Sequence, residues 1–125
     1  MEQKILVYFM EVKEDGTVEN GRFIEIANTL EAMQDLVKGL IEVISLTKEV
    51  DLVINEEGKI HKLPYNRALV DGSVVYDILA GNIISCRLDD EGNFCSIRES
   101  DEAIIKQFCK PVYYIGNKIV IGEEG

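Results

Sequence analysis

At 125 residues the chain has the size of one ordinary domain, and with 46% hydrophobic and 29% charged residues it has the composition of a soluble globular protein, neither disordered nor fibrous. A formal net charge of -10 argues against general binding to nucleic acid or to anionic membranes, because both rest on cation-rich surfaces that release counterions. The expectation is a single α+β domain over residues 1–125: a mostly antiparallel sheet, a main helix at about 28–38 packed on it, and a short second helix at about 101–108.

The run Ile5 to Met10 meets Glu11 at once and has neither a cationic lead-in beyond Lys4 nor a small-residue cleavage site, so it does not read as a signal peptide. No stretch approaches the roughly 20 apolar residues that cross a bilayer, and the expected location is cytoplasmic, with no membrane partner. Lys4 to Lys13 is β-branched and aromatic, as a central strand would be. Glu14-Asp15-Gly16 supplies a turn, and Thr17 to Ile26 returns as a weaker strand. Asn28, with Glu31 three residues on, has the spacing of a helix cap; Leu30, Met33, Val37 and Leu40 form one apolar stripe, and Gly39 offers a left-handed stop. Leu40 to Leu46 and Leu52 to Ile54 read as strands.

From Asn55 the chain is expected to leave regular structure for about a dozen residues. Beyond Asp71-Gly72-Ser73, Val74 to Ala80 fits either strand or helix, with a short helical turn at Tyr76 to Ala80 preferred and Gly81 as its stop. Ile83 to Leu88 and Asn93 to Ile97 flank Asp89-Asp90-Glu91-Gly92 as a hairpin that sets Cys86 opposite Cys95. Ser100 is the expected cap of the helix over 101–108, and Pro111 prevents its continuation. Val112 to Ile115 and Lys118 to Ile121 flank Gly116-Asn117 as a last hairpin, followed by the tail Glu123-Glu124-Gly125.

Little of this sequence spells out chemistry. Acid pairs precede glycine at Glu14-Asp15-Gly16, Glu56-Glu57-Gly58 and Asp90-Glu91-Gly92, but none has the alternating ligands and distal glutamate of a calcium loop, so hairpin turns account for them. Cys86, Cys95 and Cys109 are odd in number and fit no zinc spacing; three free thiols in a reducing compartment follow. There is no serine elbow, no His-Glu-x-x-His and no phosphate loop, and the one histidine, His61, has no nucleophile in reach by sequence. The reading is non-enzymatic, without cofactor or metal.

Charge concentrates attention on one segment. Residues 1–58 carry 13 acids and 5 bases, residues 71–125 carry 10 acids and 5 bases, and residues 59–70 carry Lys59, Lys62 and Arg67 with no acid. Within this basic island and just ahead of it, Asn55 and Asn66 offer paired amide donors and acceptors, and Arg67 offers a planar fork suited to phosphate or carboxylate. Asn55, Lys59, His61, Lys62, Asn66 and Arg67 are therefore the candidate ligand-binding residues. The competing reading has both amides bonding nearby backbone and Arg67 pairing with an acid.

Glu31-Ala32-Met33-Gln34 to Ile41-Glu42-Val43, Asn55-Glu56-Glu57-Gly58-Lys59, Leu63-Pro64-Tyr65-Asn66-Arg67-Ala68-Leu69 and Tyr76-Asp77-Ile78-Leu79-Ala80-Gly81 together cover about residues 5–97. In combination they resemble a bacterial domain family of unknown function found largely in phages, plasmids and conjugative elements. Lys110 to Gly125 lies outside the resemblance. What it implies is a small accessory protein of a mobile element, with an anti-defence role open to it. Two functions then compete: a binder that sequesters an anionic, nucleotide-like small molecule at the basic island, and an acidic inhibitor or nucleic-acid mimic that blocks a host protein. Neither involves direct nucleic-acid binding, and both leave room for a homo-oligomer.

Overall fold

The computed structural model describes residues 3–123, so Glu124 and Gly125 of the expected tail, and the first two residues of the domain, lie outside the described residues. Ten strands and two short α-helices follow in order: β1 (Lys4–Met10), β2 (Arg22–Ala27), α1 (Leu30–Val37), β3 (Ile41–Ser45), β4 (Asp51–Asn55), β5 (Tyr65–Asp71), β6 (Val74–Ala80), β7 (Ile83–Leu88), β8 (Phe94–Cys95), α2 (Glu102–Phe108), β9 (Cys109–Ile115) and β10 (Lys118–Ile121). The first sheet has the order β2-β1-β7-β4-β3, with β8 also paired to β7; the second has the order β10-β9-β5-β6. Every strand pairing is antiparallel.

The antiparallel expectation holds, but the helical share is smaller than expected. With eight residues in α1 and seven in α2, neither is a main helix, and the fold is mainly β. Tyr76 to Ala80 is not a helical turn either: it belongs to β6, hairpinned to β5 through Gly72.

Strand alternation explains the layering. Ile5, Val7 and Phe9 of β1 join Val53, Ile84 and Cys86 beneath Met33 and Val37 of α1. The alternate residues Tyr8 and Met10 join Leu52, Ile54 and Ile83 against Leu69 and Leu79 of the second sheet, together with Ile105 of α2 and Cys109. The central strands of the first sheet, β1, β7 and β4, are thus buried on both faces, which is why β1 reads as an unbroken apolar run. A third, smaller cluster of Ala68, Val70 and Val112 belongs to the second sheet.

The ends of α1 differ from expectation by one residue each. Thr29, in extended conformation, is the cap: its hydroxyl accepts the Ala32 N–H at 3.1 Å, whereas the Asn28 side chain donates to the Phe94 carbonyl. At the other end Lys38, with φ 64°, takes the left-handed position. Gly39 is needed for space instead, since a Cβ there would lie 2.7 Å from the Asn55 amide nitrogen. Two turns of helix cannot bury the whole stripe, and Leu30 and Leu40 are exposed while Met33 and Val37 are not.

Around the first turn, the expected Glu14-Asp15-Gly16 geometry forms with Gly16 at φ 89°, but only the single bridge Val12 to Val18 extends it before pairing resumes at Arg22. Ser100 is not a cap. A 3-10 turn at Glu99–Asp101 precedes α2, and the Asp101 carboxylate accepts the Arg98 N–H and, from the Arg87 guanidinium, Nε–H and Nη2–H at 2.9 and 2.8 Å. That guanidinium holds the Asp101 carboxyl below the usual carboxylate range. Pro111 lies inside β9, opposite Arg67. The last hairpin, turning at Gly116, is as expected.

No disulfide joins the cysteines. The β7–β8 register sets Arg87, not Cys86, opposite Cys95, because β8 is only two residues long and pairs one step further along. Cys86 and Cys109 are buried, Cys95 half-buried, and burial pushes the Cys86 thiol up to about 12. Alkylation of the native protein at neutral pH is therefore expected to label Cys95 first, with all three cysteines labelled only after denaturation. Intact mass before and after denaturation checks this; rapid native labelling of Cys86 would contradict the packing.

Candidate functional site

The six candidate residues do not converge on one opening. Residues 56–64 form a compact run of turns between β4 and β5, closed by the bonds His61 N–H to Glu57 O, Lys62 N–H to Lys59 O and Leu63 N–H to Gly58 O. This irregular stretch is shorter than the sequence implies, because Tyr65 already begins β5. Asn66 and Arg67 are consequently strand residues, and both are fully buried.

Arg67 is the largest of the fully buried side chains. One arm of its guanidinium donates to Asn66 Oδ1 at 2.6 Å, and the other to the main-chain carbonyl of Glu19 at 2.8 Å. It faces no solvent, and it lines neither the cleft at residues 55–60 nor the one at Leu63-Pro64. Asn66 Nδ2 donates to Met10 O and to Gly81 O, each at 2.9 Å. The pair therefore ties β5 to the end of β1, to the β1–β2 connection and to the β6–β7 corner.

Asn55 works in the same way. Its Nδ2 donates to the carbonyls of Val37 and Lys38, and its Oδ1 accepts the Glu57 N–H at 2.8 Å, so one amide closes the C-terminus of α1 onto the turn that follows β4. A third amide does equivalent work without any local sequence signal: Asn82 donates to Leu36 O and accepts the Val12 N–H at 3.0 Å. All three asparagines bond main chain far away in sequence, which fits the reading that these amides stabilise backbone.

The remaining three candidates are at the surface. Lys59 Nζ lies 2.8 Å from Asp77 Oδ1; His61 Nε2 lies 3.8 Å from Glu57 Oε2; Lys62 is exposed with φ 56°. Beside them lies a cleft of about 140 Å³, rimmed by Glu42, Glu56, Glu57 and Asp77 against the single cation Lys59. That volume is well under the roughly 300–1,000 Å³ of pockets that enclose drug-sized ligands. Its electrostatics favour a cationic group over an anion.

The pieces of sequence that carry the family resemblance nevertheless meet in space. A Cβ on Gly58 would come within 2.9 Å of Ala80 O, and one on Gly81, which holds φ 84°, within 2.9 Å of Leu63. Gly81 N–H donates to Pro64 O, and Gly81 O accepts from Asn66. Asn55-Glu56-Glu57-Gly58, Leu63 to Arg67 and Ala80-Gly81 thus make one scaffold that fixes the 56–64 turns on the ends of β4 and β6. Among the described residues no cluster of His, Cys, Asp and Glu could hold a metal, and no helix is long and apolar enough to cross a membrane.

These features define a mainly-β domain of two antiparallel sheets, clasped by buried amides and presenting an acidic cleft. Its sequence matches the family described as "Domain of unknown function (DUF3846)" over residues 10–112, and the chain belongs to that family. No curated protein matches it. No solved structure does either.

Proposed function

We propose that this is a non-enzymatic accessory protein of a phage or mobile element that acts through its acidic surface, occupying the cationic face of a host protein as a nucleic-acid mimic would. The observation that carries this reading is the state of the basic island. Arg67, the cation best suited to an anionic ligand, is spent on Asn66 and Glu19 inside the fold, and Lys59 is matched by Asp77, while four acids rim the neighbouring cleft. A chain of net charge -10 then presents its negative field outward and would be steered to a cationic partner. The mobile-element setting comes from the family resemblance, and an anti-defence role fits it.

Sequestration of a nucleotide-like anion is the second reading, favoured by the outward-facing Lys62 and His61 at the tip of the turns. A two-part experiment separates the readings. A thermal-shift screen of nucleotides and cyclic nucleotides should find no stabilising ligand. Affinity enrichment from host extract should recover a partner that is lost both in high salt and with the combined variant Glu42→Gln, Glu56→Gln, Glu57→Gln. A nucleotide that stabilises the wild type but not Lys62→Ala would overturn the acidic-surface reading in favour of the second.

A further inference from the structure

Four strands end the two strand orders: β2 and β3 in the first sheet, β6 and β10 in the second. Exposed edges invite pairing with another chain, and proteins blunt them with charges, bulges or cover. Here β2 carries Arg22 and Glu25, β3 carries Glu42, and β6 carries Asp77 beside an irregular register with β5. Among the edge strands of the described residues, β10 alone lacks such protection beyond its first residue: after Lys118 it reads Ile119-Val120-Ile121, all exposed.

The hairpin geometry fixes which backbone groups face outward. Ile115 pairs with Lys118 across a two-residue loop, and Gly122 N–H donates to Pro111 O. Antiparallel pairs alternate between hydrogen-bonded and non-bonded, so Lys118, Val120 and Gly122 point their N–H and C=O toward β9. Ile119 and Ile121 must point theirs to the open edge. Two such edges are self-complementary. With a two-fold axis at Val120, Ile119 of each copy meets Ile121 of the other and exchanges both bonds, four in all, while Val120 meets its own counterpart on the face where Tyr113 is its hairpin partner.

Charge selects a second copy as the occupant. β10 itself, Lys118–Ile121, carries one cation and no acid in a chain of net -10, and Glu123 just beyond it is paired with Lys110 of β9 at 2.7 Å. Two copies of this acidic chain can therefore pair along β10 without setting one carboxylate opposite another: in the two-fold register Lys118 of each copy meets Gly122 of the other. We infer that β10 is a homodimer interface, pairing antiparallel with β10 of a second copy to join two four-stranded sheets into one of eight strands. The contact stands apart from the acidic cleft, so its failure would leave the proposed function untouched.

Sedimentation of the full chain over a wide concentration range, with amide exchange read at both ends of the range, tests the inference. The expected result is a monomer–dimer equilibrium in which the Ile119 and Ile121 amides are protected only at high concentration. Val120→Lys, which sets two like charges face to face at an exposed position, should weaken the dimer by at least about tenfold with the fold unchanged. A wild type that stays monomeric, a dimer whose Ile119 and Ile121 amides remain unprotected, or open-ended oligomers of the kind β10-to-β6 pairing would produce, each overturns it. Should Val120→Lys fail to fold, the exchange of the wild type decides alone.

Discussion

Replacing Asn66 with alanine should cost about 3–5 kcal/mol of folding stability, a large part of the 5–15 kcal/mol typical of a domain. The substitution removes the donors to Met10 O and Gly81 O and the acceptor 2.6 Å from the Arg67 guanidinium, all in fully buried surroundings. Leaving a buried charge short of a partner is among the most destabilising single changes a core can suffer. Arg67→Ala should also destabilise, through lost bonds and the cavity left by the largest buried side chain. Lys62→Ala, at an exposed turn, should shift stability by less than about 0.5 kcal/mol. Urea denaturation of the three variants tests the assignment. An Asn66→Ala protein as stable as the wild type would show that the amide is not a tie between the sheets.

Val37→Asp should leave the protein unfolded at ambient temperature. Val37 is buried under α1 against Met33, Val53, Ile84 and Cys86, with no cation among the residues of that cluster. A carboxylate placed there must either ionise without a partner or take up a proton at the expense of folding, and either route costs several kcal/mol. Far-ultraviolet circular dichroism and one-dimensional proton NMR would register the loss. An unchanged melting temperature would mean that α1 does not pack on this face of the first sheet.

What was legible in the sequence follows from how each segment meets its surroundings. Lys4 to Met10 announces itself because both faces of β1 are buried, and the β9–β10 hairpin because Gly116-Asn117 fits a two-residue loop. Val74 to Ala80 was ambiguous because β6 is an edge strand whose first three residues are apolar yet exposed, so the run carries no inside-outside alternation. Asn66 and Arg67 misled for a deeper reason. Polar residues following Pro64 read as a loop, and the partners that let them enter a core, Met10, Glu19 and Gly81, come from distant parts of the chain. Local pattern cannot announce a bond closed by residue 10 on residue 66. Asn82 illustrates the same limit, for nothing around it marks an amide that joins the segment after β1, at Val12, to α1. The basic island was a property of the sequence, but folding divides it: one cation goes into the core, one to an ion pair, one to the surface.

The strand order of the first sheet also sets a timetable for synthesis. β7 lies between β1 and β4, so the β1–β2 and β3–β4 hairpins share no strand pairing until residues 83–88 have been made. In a chain emerging from the ribosome the strand edges of β1 and β4 that face β7 therefore stay without their partner until the 56–64 turns and the β5–β6 hairpin have been translated. Insertion of β7 pairs both inner edges in one event. The sequence separation of those pairings is expected to slow this step, and the unpaired edges in the interval before it invite aggregation.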